Sequence, residues 1–147
     1  MDAAIELRDA RPGDAGAIAR LSEQLGYPAH AGDIAPRLSA LLAEPADHAV
    51  LVLTVDAGIV GWIHVMRARR IELPPFAEIA ALVVDEGHRN VRLGERLVEA
   101  AIAWANAHGL DTLRVRSNVV RTDAHRFYTR MGFEPEKTQA IFTHRQT

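Results

Sequence analysis

Cysteine is absent from the 147-residue chain, which excludes disulfides, thiolate metal sites and a covalent cysteine nucleophile together. Long apolar runs are absent as well. Those present, such as Ala49–Leu53 and Ile79–Val84, fall far short of the roughly 20 residues of a membrane helix, so no membrane association is expected. The opening Met-Asp-Ala-Ala-Ile-Glu-Leu-Arg-Asp carries charge where a signal peptide needs an apolar segment, and the expected setting is cytoplasmic. Neither sign of charge dominates. A net charge of −2 argues against nucleic-acid binding driven by bulk charge. The histidines at 30, 48, 64, 88, 108, 125 and 144 show no His-x-His or His-x-x-x-His spacing, so no metal site is expected. With no repeat, linker or low-complexity tract, residues 1–147 are expected to form one domain.

What is present is concentrated between Leu82 and Leu97. An apolar run stops at Asp85, a polar turn follows, and a helical pattern begins near Arg92. That helix start holds His88, Arg89, Arg92 and Arg96. A helix N-terminus has unpaired N–H groups and partial positive charge, so stability alone favours acids there. Cations stacked on it point to a missing anion, and phosphate is the natural one.

The rest of the chain alternates between periods. Residues 4–9 suit a short strand. Asp14 is placed to cap a helix carrying Ile18, Leu21 and Leu25 and stopped by Gly26; Asp33 is placed to cap another, carrying Ile34, Leu38, Leu41 and Leu42, with Pro36 in its first turn. His48–Asp56 and Ile59–Ile71 flank Asp56-Ala57-Gly58 as a hairpin, and Pro74-Pro75 breaks the pattern before a central strand at Phe76–Asp85. A helix follows at Arg92–His108, with Leu93, Leu97, Ala100, Ala101 and Trp104 as its buried stripe. Then come a strand at Thr112–Ser117, a helix at Arg121–Met131 and short strands at Phe133–Glu134 and Gln139–His144. The order β-α-α-β-β-β-α-β-α-β-β describes an α/β chain with a mixed sheet and helices on both faces.

This order and two motifs resemble the GNAT superfamily of N-acetyltransferases. Leu82-Val83-Val84, followed by Arg89-Asn90-Val91-Arg92-Leu93-Gly94, is similar to the family's acetyl-CoA loop, Gln/Arg-x-x-Gly-x-Gly/Ala. Arg121 to Phe133, with Ala124, Tyr128 and Gly132-Phe133, is similar to its C-terminal Ala-x-x-x-Tyr-x-x-x-Gly-Phe pattern. The loop departs from the family at Arg92, where the pattern has glycine. An arginine of ordinary φ with its side chain pointing outward would keep the loop usable and could reach a phosphate itself.

The resemblance implies a mostly antiparallel sheet, acetyl-CoA as co-substrate, an amine acceptor (a small molecule or a peptide) and, as a family-level expectation, a homodimer. It implies that Leu82, Val83 and Val84 run beside the pantetheine arm, with a peptide N–H at Val83 or Val84 as oxyanion donor. Backbone groups from Asn90 through Leu93 and Gly94 to Glu95 would hold phosphate, with Arg89 and Arg92 adding charge. Tyr128 would protonate the leaving thiolate, since a phenol of pKa about 10 can donate to a thiolate whose acid has a pKa of about 8.5. Its other reading is packing with Phe127 and Met131.

An alkyl ammonium of pKa about 10.4 needs a base near neutral pH. Glu78, a carboxylate inside the apolar Phe76–Val84 run, is the candidate, against the reading of an edge-exposed or salt-bridged glutamate. His64, beside Trp62, is the second candidate base or substrate contact, or else structural. Tyr27, in the Tyr27–His30 turn, would line the acceptor entrance opposite the Ile71–Phe76 hairpin. Asn118, after Ser117, either bonds the pantetheine arm or ends a strand. Arg126 reaches the adenosine end of CoA or pairs with Asp123 on the surface. Two rival functions remain: a non-catalytic acyl-CoA sensor, favoured by Arg92, and a scaffold for protein interaction, which leaves the cationic helix start unexplained.

Overall fold

The alternating pattern around Asp56-Ala57-Gly58 folds as a hairpin in the computed structural model, which describes residues 4–117 and 119–146, the side chains of Arg89, Asn90 and Val91 excepted. Strands β2 (His48–Val55) and β3 (Gly58–Arg70) pair antiparallel across it. Asp56 and Ala57 take φ of 50° and 70°, the left-handed pair that matches a two-residue turn to strand twist. Strand β1 (Ile5–Asp9) adds to β2, and β4 (Leu73–Val84) adds to β3, both antiparallel. Strand β5 (Leu113–Val115) adds parallel to β4, completing the order β1-β2-β3-β4-β5. Parallel neighbours need a crossover, and helix α3 (Leu93–Ala107) provides it.

Helices α1 (Ala15–Glu23) and α2 (Ala31–Leu42) precede β2. Their Ile18 and Leu38 pack with Val50 and Val52 of β2, and Trp62 of β3 borders that cluster. Strand alternation sends Leu53, Gly61 and Ile63 to the opposite face, where Gly61 approaches Leu97 of α3. Leu93, Leu97, Val98 and Ala101 of α3 are fully buried, whereas Trp104 is half-buried and stacks on His108. The chain divides into two compact units, Met1–Val115 and Arg116–Thr147. The second contains α4 (Thr122–Arg130), closed by Gly132 at φ 94° and by the Phe133 N–H donating to the Tyr128 carbonyl.

Several local expectations are corrected. Asp14 precedes α1, but its carboxylate does not cap that helix. It accepts both guanidinium nitrogens of Arg8, at 2.8 and 3.0 Å, and the Arg11 N–H at 2.7 Å, because charge-assisted bidentate bonding outweighs a single cap bond. Helix α2 starts at Ala31 with extended His30 before it, so Asp33 lies inside the first turn and Pro36 in the second. Pro36 and Gly32 are exposed, so water can satisfy the Gly32 carbonyl that proline leaves without a partner.

Pro74 and Pro75 do not interrupt the sheet. They lie within β4 where its register with β3 shifts, between Ala68 and Arg70, a place where missing N–H groups break few ladder bonds. The strand expected over Thr112–Ser117 is limited to Leu113–Val115. The two C-terminal strands do not form among the described residues. An extended segment becomes a strand only when another strand takes its peptide groups, and no ladder includes residues 133–146. Ile141 and Phe142 are correspondingly exposed.

Candidate active site

The sheet prepares a site by ending one ladder early. Strand β5 pairs with β4 only at Ala77, Glu78 and Ile79. One residue further on, the β3–β4 register jumps from Val65–Ile79 to His64–Ala81, leaving Ala80 as a bulge. A bulge bends its strand and increases the local twist. Residues 81–83 therefore pair with β3 on one side and, among the described residues, with no strand on the other. Ala81 to Val83 thus lie on a sheet edge able to bond an extended, amide-bearing chain.

That edge leads into the cofactor-loop motif. After Asp85, residues Glu86–Val91 form a 3₁₀ turn, and Arg92 joins it to α3. Arg92 adopts φ 60° and ψ 27°, against the expectation of an ordinary φ. The left-handed region costs a non-glycine residue about 1 kcal/mol or more, and the family's glycine would occupy it freely. Arg92 thus takes a conformation that glycine would adopt without strain, and it is exposed. The first-turn N–H groups of α3 at Leu93 and Gly94 have no carbonyl within the helix to bond. The side chains of Arg89, Asn90 and Val91 lie outside the described residues. Of the expected cations, His88 is already engaged, its Nδ1 lying 3.1 Å from Asp85 Oδ2.

Glu78 stands opposite Met66 on β3 and Arg114 on β5. Alternation along β3 puts Met66 on the same face as His64 and Trp62, the face that also carries α1 and α2. Glu78 is half-buried, one residue short of the point where β5 stops. Phe76 lies two residues earlier on that face, with the Arg114 guanidinium 4.5 Å from its ring centre. His64 does not stand alone. Its Nε2 is 3.0 Å from His48 Nδ1, and burial first, then the His48 charge, lowers its pKa to about 4. His64 is therefore neutral at physiological pH, but it is a weak base with one nitrogen already committed. The Trp62 Nε1–H is buried without a hydrogen-bond partner among the described residues.

In the second unit, Tyr128 makes edge contacts with Phe127 and Phe133, with ring centres 5.2 and 5.6 Å apart. Burial raises its pKa, against the opposing charge of Arg121. Tyr128 therefore both packs, as its alternative reading held, and remains a protonated donor across the neutral range. Arg126 pairs with Asp123 at 3.7 Å, both side chains well exposed, which is the surface pair anticipated as its second reading. Asn118 lies outside the described residues; Ser117 Oγ is buried without a partner among the described residues. Tyr27 is exposed in the connection between α1 and α2.

Sequence reasoning missed two residues. His48 was legible only through hairpin register, since β2–β3 pairing sets His64 opposite Val50 and so diagonal to His48. Gln24, just after α1, contacts Asp85 and Glu86 across a separation of about sixty residues, and no local signal announces it.

This fold and site define an acyltransferase class. The profile of the Acetyltransferase (GNAT) family matches residues 17–133, and the chain belongs to that family. A stretch of 59 residues is 42% identical to the uncharacterized N-acetyltransferase YhdJ of Bacillus subtilis (strain 168), covering 40% of this chain and 42% of that protein. The chain thus matches less than half the length of that curated relative. Among solved structures, a putative acetyltransferase from Agrobacterium tumefaciens str. C58 superposes with a TM-score of 0.81 at 25% identity, covering 96% of this chain and 99% of the other. The aminoglycoside N-acetyltransferase AAC(6')-Iy in complex with CoA superposes with a TM-score of 0.83 at 16% identity, covering 100% and 98%. That likeness is one of fold.

Proposed function

We propose that this protein transfers the acetyl group of acetyl-CoA to a primary amine by direct attack, with donor and acceptor bound together. One observation carries the reading: the one-sided edge of β4 at residues 81–83 leads through the 86–91 turn to the N-terminus of α3. These groups fit acetyl-CoA in kind. Edge peptide groups suit the two amides of the pantetheine arm, and helix-start N–H groups suit a pyrophosphate. Exposed Arg92, with Arg89 by its place in the motif, adds positive charge. Leu82, Asn90 and Val91 belong to the same stretch.

Acetyl-CoA would supply an acyl group activated as a thioester. Glu78 takes the proton that the attacking ammonium must lose, directly or through a water. A peptide N–H of the β4 edge donates to the carbonyl oxygen as it gains negative charge, an interaction worth about 3 kcal/mol in acyl transfer. Tyr128 holds a proton for the sulfur as the C–S bond breaks. With no cysteine in the chain, an acetyl-cysteine relay is excluded, which leaves direct transfer as the simplest route.

The acceptor is proposed only as a primary amine; the name of the aminoglycoside enzyme places amino sugars in a first screen. Calorimetry with acetyl-CoA tests the reading, with Arg89→Ala as control. Micromolar binding that weakens in the variant is expected, and no detectable binding in the wild type would overturn the assignment.

A further inference from the structure

The side chain of Gln24 joins the end of α1 to the start of the cofactor loop. Its Nε2 donates to Asp85 Oδ1 at 2.9 Å, and its Oε1 accepts the Glu86 N–H at 3.0 Å. A carboxylate can only accept and a peptide N–H can only donate, so each end of the amide meets the one partner type it can use. Asp85 is fixed further by His88 at 3.1 Å, by its own N–H to the Val60 carbonyl at 2.7 Å, and by the His88 N–H to its carbonyl at 2.9 Å. Its carboxyl is held below the usual range, by the Gln24 bond first and His88 second. Residues 86–91 form only a short 3₁₀ turn, which has little intrinsic stability.

We infer that Gln24 is a positioning residue for this loop: by gripping Asp85 and Glu86 it holds the 86–91 turn in the shape that presents the first amides of α3. The inference concerns the loop itself, and rests on the acetyl-CoA reading only where it extends to cofactor affinity. It further makes α1, on the face of the sheet that carries Glu78, a support for cofactor binding. Acceptor-side changes that move the end of α1 are then felt in the affinity for CoA.

The test uses Gln24→Glu, Asp85→Asn and the two together in the full chain. Gln24→Glu keeps the acceptor for the Glu86 N–H but sets a second carboxylate against Asp85. The double variant restores the pairing with reversed polarity, the new amide donating to the new carboxylate. Amide exchange over residues 86–94 is measured without ligand, with Val98 and Ala101 in α3 as internal controls for an intact fold. CoA binding is measured by calorimetry alongside.

Gln24→Glu is expected to speed exchange in the loop and to weaken CoA binding about tenfold each, with the α3 controls unchanged, and the double variant to recover both. Unchanged loop exchange in Gln24→Glu, or no recovery in the double variant, overturns the inference. Should the wild type fail to bind CoA, the proposed function falls while loop exchange still decides the role of Gln24.

Discussion

Gly61 lies so close to Val83 that a Cβ on it would stand 3.0 Å from the Val83 carbonyl oxygen, and 3.2 Å from Leu97 Cδ1. Here β3, β4 and α3 meet beneath the one-sided edge of β4, and only a residue without a side chain lets them close. Neither obstacle can swing away cheaply, one being backbone and the other a fully buried leucine. Gly61→Ala is expected to destabilise the fold by about 1–2 kcal/mol. Urea denaturation checks this, and an unchanged midpoint contradicts it.

Arg92 separates backbone strain from charge. Arg92→Gly removes the left-handed strain but adds unfolded-state entropy, so stability is expected to stay within about 0.5 kcal/mol of wild type. Arg92→Val places a β-branched residue at φ 60° and should cost about 1–2 kcal/mol. Both remove the guanidinium and should weaken CoA binding alike. Thermal melts and calorimetry on the same samples read the two effects apart.

His64 sets an acid-side stability loss. Its folded pKa is lowered from 6.5 to about 4, so between these values the unfolded chain binds a proton that the folded chain refuses. Stability therefore falls as pH drops from about 6.5 towards 4, by on the order of 1–2 kcal/mol once partial exposure is discounted. Asp14 and Asp85, whose pKa values lie below the usual carboxylate value of 3.8, contribute stability that is lost only below that window. Denaturation at pH 7 and pH 5 should show the drop, and His64→Gln should reduce it.

Tyr128→Phe distinguishes an enzyme from a sensor. The ring contacts persist while the proton is lost, so CoA affinity should hold and kcat should fall about 100-fold. Since the Tyr128 pKa is raised, any alkaline loss of activity from this group should begin above about pH 10. A variant with wild-type kcat removes the acid role.

Glu78→Gln should lower kcat/KM near neutral pH and lose less as pH approaches about 10, where the amine sheds its proton unaided. Assays with an amine identified by screening check this. A pH-independent defect would make Glu78 a binding group.

Much of the fold was legible because it is local. Gly26, expected as a helix stop, takes positive φ, as do Gly109 and Gly132 after their helices, since a left-handed residue after a helix is a one-residue preference. The Asp56-Ala57-Gly58 turn was legible because turn residues between two alternating runs mark a hairpin. The misreadings came where distant partners decide. Pro74-Pro75 looked like a break until a register shift with β3 accommodated it, and Gln139–His144 looked like a strand but has no ladder among the described residues.

The sequence by itself determined most of the element types, the loop and tyrosine motifs and the absence of cysteine chemistry, because period, turn residues and composition act over a few neighbours. Only the tertiary structure decided that β5 leaves β4 after Ile79, that His64 is held by His48, and that Gln24 grips Asp85. Each depends on register or on a hydrogen bond between residues far apart in the chain. Such partners are chosen by the packing of the whole sheet, which no local pattern encodes.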